Sequence, residues 1–184
     1  MKERMKDAYE RCLSEQSKDP IEILEKLMKL PTCRMHGPEH HVLVGSALLT
    51  AYRNAGGTID LASALEELYK RASAVPGAVC GYWGACGACL STGQFLSIVT
   101  GSGPLATAQW GTCMNMTAKS LTAVAAVGGP RCCKRDSYLS VLSAIDFVAD
   151  NLTVKMVKTM PVCSRSSHNV QCIGKRCPFY GGET

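Results

Sequence analysis

Aromatic side chains are scarce in this sequence, with 2 Trp, 6 Tyr and 3 Phe among 184 residues. A core built from it must therefore rest on Leu, Val, Ala and Met. No apolar run approaches the roughly 18 residues that a membrane-crossing helix needs. Met1 to Asp19 alternates charges and carries no apolar leader segment. There is no phosphate loop, no G-x-G-x-x-G fingerprint and no G-x-S-x-G nucleophile elbow. These absences remove the commonest nucleotide-binding and serine-hydrolase readings. They leave the expectation of a cytoplasmic chain with no membrane association.

Cysteine, by contrast, is abundant, at 11 residues. A cytoplasm keeps thiols reduced, so a disulfide framework is not expected. The chain is also long enough to bury a core without covalent staples. An odd number of cysteines, with vicinal and C-x2-C spacings, points to metal binding or redox chemistry. The charge follows the cysteines. Residues 1–31 hold seven basic and seven acidic side chains, whereas residues 131–180 hold eight basic against three acidic, the whole of the net +5. So small a surplus is not a nucleic-acid footprint, but it can offset the negative charge of thiolate-bound metal.

The pattern reads as mainly α: a single-domain helical bundle with a cysteine-organised, loop-rich C-terminal region. Met5, Ala8, Tyr9, Cys12 and Leu13 recur at helical spacing over residues 2–16. Asp19-Pro20-Ile21-Glu22 reads as a cap, a first-position proline and a third-position glutamate, opening a helix that ends near Pro31. Further helices are expected from Pro38 to Gly56, from Asp60 to Val75, inside residues 77–103, from Leu105 to Val127, and over 136–150 with Asp136 as cap. Thr153 to Val157 could be a short strand. Residues 1–31 thus form N-terminal helices packed onto a cysteine-rich metal-binding helical domain, residues 32–184.

Four groups of residues carry the chemistry. Cys80, Cys86 and Cys89 lie in a glycine-rich run, where Cys86 and Cys89 fall on one side of a helical turn. A helix N-terminus there would stabilise thiolates. Cys163, Cys172 and Cys177 form a second triad in a segment with little apolar periodicity, which only a metal would readily order. Cys132-Cys133 can supply the fourth ligand to either triad, one cysteine ligating while the other packs or serves a second centre. Cys33, His36, His40 and His41 form the fourth group, and the remaining histidine, His168, sits between Cys163 and Cys172. These imidazoles suit either a ligand set or acid/base residues beside a cluster. Lys134 and Arg135, like Lys175 and Arg176, flank cysteines and could neutralise a cluster or hold an anionic cofactor. Cys12 and Cys113 sit on apolar helical faces and read as small buried hydrophobes.

Glycine-rich and Cys-Pro contexts fit iron–sulfur better than zinc, which prefers paired short knuckles. A [4Fe–4S] cluster is the expected cofactor and zinc the alternative. The stretch from Cys33 to His41, the run from Val79 to Cys89, Arg131-Cys132-Cys133-Lys134 and the stretch from Cys172 to Pro178 together resemble a family of unknown function. That family belongs to anaerobic bacteria and archaea and is sometimes attached to methyltransferase-like domains. The resemblance covers residues from about 30 to 180, and it implies an anaerobic redox-metal setting with a redox or methyltransferase partner protein. The expected function is an iron–sulfur protein supporting redox or sulfur/one-carbon chemistry. A structural zinc module and a pure electron carrier are the rival readings.

Overall fold

A computed structural model describes residues 5–182, and among these the architecture is mainly α-helical, followed by a long C-terminal loop. The chain runs α1 (Lys6–Ser14), α2 (Pro20–Met28), α3 (Glu39–Asn54), α4 (Leu61–Ser73), α5 (Val79–Tyr82), α6 (Gly87–Val99), α7 (Ala108–Val127) and α8 (Cys133–Asn151). Two short 3-10 turns, Ser166–His168 and Gly174–Arg176, punctuate the C-terminal loop.

The helix starts follow from local chemistry. The Asp19 side chain accepts the Ile21 N–H at 2.8 Å and the Glu22 N–H at 3.4 Å, capping α2 with Pro20 in its first turn. Asp60 accepts the Ser63 N–H at 2.8 Å and caps α4 in the same way. Helix α3 forms the centre of the bundle, and every residue from Glu39 to Tyr52 is buried. Helices α2, α4, α6 and α8 surround it. Gly45 permits a close approach of α4 and α6: a Cβ there would stand 2.6 Å from Leu68 and 2.8 Å from the Ser91 hydroxyl. One continuous apolar core joins α1 and α2 to the rest, from Met5, Cys12 and Leu24 through Leu48 and Phe95 to Val148 and Phe179.

Several boundaries depart from the sequence pattern. The 77–103 segment holds two helices rather than one, broken at Trp83–Cys86, where Gly84 takes φ +67°. Pro104 and Leu105 lie in a turn ahead of α7, which begins at Ala108. Helix α8 starts three residues before the expected cap. Cys132 takes the extended N-cap conformation, its carbonyl accepts the Asp136 N–H at 2.8 Å, and Asp136 is enclosed in the first turn against Arg135. Residues 153–157 pair with no strand; Val154 and Met156 turn inward while the Val157 N–H donates to the Lys18 carbonyl at 2.9 Å. The only β pairing among the described residues is an isolated parallel bridge between Cys163 and Tyr180.

Candidate metal centre

The C-terminal chain folds back over the start of α8. The Cys163 N–H donates to the Phe179 carbonyl at 2.7 Å, drawing the two ends of the loop together, and the 174–176 turn brings Cys177 back towards Cys172. Cys132, Cys163, Cys172 and Cys177 consequently line one cavity of about 20 Å³. Each of these four sulfurs faces an N–H donor. Cys163 Sγ accepts from the Arg165 backbone at 3.4 Å and Cys172 Sγ from the Gly174 backbone at 3.4 Å. Cys177 accepts from the Phe179 backbone, two residues on in the same way. Cys132 accepts from the Arg135 and Lys134 backbone and, at 3.5 Å, from Asn169 Nδ2. Neutral thiols gain little from such donors, whereas thiolates gain charge-assisted hydrogen bonds. Burial raises the Cys132 and Cys177 thiols above their ordinary value, with these donors working against it. Metal entering here would displace protons.

The loop is not left to metal alone. Arg165 makes a two-pronged ion pair with Glu25 of α2, at 3.2 and 3.1 Å, and donates to the Tyr138 hydroxyl at 3.1 Å; that hydroxyl in turn donates to Glu25. Tyr138 stacks edge-on against Phe179, with ring centroids 5.2 Å apart. Lys134 and Arg135 also line the cavity but are already engaged. Lys134 Nζ donates to Cys33 Sγ at 3.0 Å, and Arg135 holds Asp136 and the carbonyls of Gly128 and Pro130.

The remaining candidates gather on the other side of α8. His36, His40, His41, Cys80, Cys86 and Cys133 line a separate cleft of about 260 Å³ between the N-terminal ends of α3, α6 and α8. Burial pushes the Cys133 thiol up to about 11, and the Gly37 N–H donates to its sulfur. Cys86 and Cys89 share a hydrogen bond that keeps Cys86 protonated and favours the thiolate on Cys89. Cys89 itself is fully buried, with Sγ 3.4 Å from the Ser140 hydroxyl, and is absent from the cleft lining. His40 is buried, its Nδ1 3.0 Å from the Gly37 carbonyl and its Nε2 3.7 Å from Cys33 Sγ; burial pushes its pKa down to about 3. Cys33 therefore joins Lys134 and His40 rather than either set of thiols.

The vicinal pair is thus divided: Cys132 faces the C-terminal triad, Cys133 the cleft of Cys80 and Cys86. Sequence reasoning missed Asn169, which is buried between the two. Its Oδ1 accepts the Gln171 N–H at 3.0 Å, which fixes the amide's orientation; Nδ2 then faces Cys132 and Oδ1 faces His36 Nε2 at 3.1 Å. The sequence pattern marks Asp136 only as a helix cap, whereas it is buried beside Cys86 and Cys133. Nothing in the sequence spacing marks either residue for the site. Among the described residues, no group of three or more Cys, His, Asp or Glu side chains is gathered closely enough to hold a metal ion as it stands.

A family model matches residues 8–180, from α1 to the end of the C-terminal loop. The chain belongs to DUF5714, a family of unknown function. The match takes in the N-terminal helices, which the resemblance read from the motifs left outside. No curated protein and no solved structure matches the chain. No described helix is long and apolar enough to cross a membrane.

Proposed function

We propose that this protein carries a thiolate-bound metal centre at Cys132, Cys163, Cys172 and Cys177, with an iron–sulfur cluster as the occupant. One observation carries the reading: the sulfur of Cys132, at the start of α8, and three sulfurs of the C-terminal loop line one cavity, and each faces an N–H donor. Four cysteines suit an iron–sulfur cluster, whose properties depend on such hydrogen bonds to sulfur. Lys134, Arg135 and Arg165 line the same cavity; the two arginines are paired with Asp136 and Glu25, and Lys134, whose partner is the Cys33 thiol, would offset the cluster's negative charge. All eleven cysteines are free thiols, as a reduced compartment requires.

Zinc is the second reading, and the size of the cavity favours it, since about 20 Å³ holds one water-sized occupant. The two readings demand opposite movements. A cluster requires the 163–177 loop to move outward, and a single ion requires the four sulfurs to draw inward.

The test is Cys172→Ser, on the most exposed of the four. Its metal content after anaerobic purification should fall well below that of wild type, while Cys12→Ser, far from the cavity, should keep the wild-type content. Equal content in both variants would refute the assignment.

A further inference from the structure

The cleft on the far side of α8 contains two imidazoles whose free nitrogens can be identified. His41 Nδ1 lies 3.3 Å from the Val75 carbonyl, which can only accept, so Nδ1 carries the proton and Nε2 is bare. That Nε2 faces Gly87, where any Cβ would stand 2.3 Å from it. His36 Nε2 lies 3.1 Å from Asn169 Oδ1, whose identity the Gln171 N–H fixes, so His36 Nδ1 is the bare nitrogen. It is buried and has no hydrogen-bond partner. An imidazole that donates one N–H to a carbonyl-type oxygen and leaves the other nitrogen bare has the arrangement of a metal ligand with its outer-shell support.

The thiols of Cys86 and Cys133 line the same cleft as these imidazoles. Gly87, against His41, follows Cys86; Gly37, which follows His36, donates its N–H to Cys133; and Cys86 and Cys133 interact electrostatically across the cleft. We propose that this cleft is a second metal site, taking a single divalent cation of the Zn²⁺ or Fe²⁺ class through His36 Nδ1, His41 Nε2 and the sulfurs of Cys86 and Cys133. Mixed imidazole and thiolate donors suit this class of ion. Neither the filling nor the existence of the four-thiol centre is required.

Binding entails closure, because the donors stand apart as they are. The segment placed to close is the α5–α6 connection, which carries Cys86 at its end and Trp83, 67 % exposed, three residues before it. Trp83 therefore reports on the site. In a Trp110→Phe background it is the only tryptophan.

The full-length protein, with the four-thiol centre loaded as purified, is titrated anaerobically with Co²⁺. We expect a saturable change in Trp83 fluorescence together with a thiolate-to-cobalt absorption band. His36→Gln, His41→Gln and Cys133→Ser should each abolish both signals, while Cys172→Ser should retain them. His36→Gln decides the matter if the more deeply packed His41 variant fails to fold. No saturable Trp83 response in the parent protein, or an undiminished response in all three cleft variants, overturns the proposal. Loss of the four-thiol metal in Cys172→Ser with the cobalt response intact separates this site from the other centre.

Discussion

Lys134 lies inside the protein with 2 % of its surface exposed, and its ammonium reaches Cys33 Sγ at 3.0 Å. A buried ammonium without a counter-charge is costly, so a lysine is retained here only where a negative or strongly accepting partner meets it. Burial is the largest effect on Cys33 and raises its thiol above the ordinary value, while Lys134 is the chief influence pulling it back down. His40 cannot supply the counter-charge, since its Nδ1–H is committed to the Gly37 carbonyl and burial keeps the ring neutral. Cys33→Ala should therefore destabilise the protein by about 1–3 kcal/mol, the cost of leaving a buried polar group unpaired. Adding Lys134→Met should restore much of that loss, giving a clear coupling energy in a double-mutant cycle. Urea midpoints of the four proteins check this. A Cys33→Ala midpoint equal to wild type would show that the ammonium has no need of the sulfur.

Cysteine stands at two helix starts: Cys86 is the N-cap of α6, and Cys132 is the N-cap of α8. At each start the sulfur faces backbone N–H groups of the first helical turn, Ala88 for Cys86 and Lys134 and Arg135 for Cys132, so the helix end favours negative charge on it. At the start of α8 the step from Cys132 to Cys133 changes which side of the helix the sulfur faces, which is how adjacent residues come to serve different cavities. The C-terminal loop, in turn, is held by Phe179 on Tyr138 and by Arg165 on Glu25 as well as by its cysteines. Phe179→Ala should cost about 3–5 kcal/mol, as for other buried aromatics. It should expose cleavage sites within residues 160–182 before the helical body is cut. Limited proteolysis read by mass would reveal that order, and a digestion pattern unchanged from wild type would mean that the ring does not hold the loop.

The helices were legible wherever apolar period and cap chemistry agreed, as at Asp19-Pro20 and Asp60. The pattern misplaces the start of α8, because Asp136 is buried against Arg135 instead of capping the helix. The division of Cys132 from Cys133 depends on where α8 begins, which the sequence pattern places three residues too late. Asn169 acts only through contacts at long range in the chain, with His36 and Cys132, and no local pattern announces such a role.

Across the whole molecule, a single core runs from α1 to the C-terminal loop, so the cysteine-bearing segments are mounted on the same rigid body as the N-terminal helices. Both cavities meet at the start of α8, one on each side, with Lys134 on the lining of one, His40 on the lining of the other, and Cys33 touching both residues. The DUF5714 match over residues 8–180 covers this whole body, so the arrangement is to be sought across the family's full domain and not in a detachable cysteine-rich tail. The most direct measurement is the iron, acid-labile sulfide and zinc content of the protein purified without oxygen, read beside its visible absorption. The account predicts stoichiometric iron and sulfide with a coloured protein, both lost in Cys172→Ser. A colourless wild-type protein that holds neither iron nor zinc, even after anaerobic reconstitution with iron and sulfide, would contradict it.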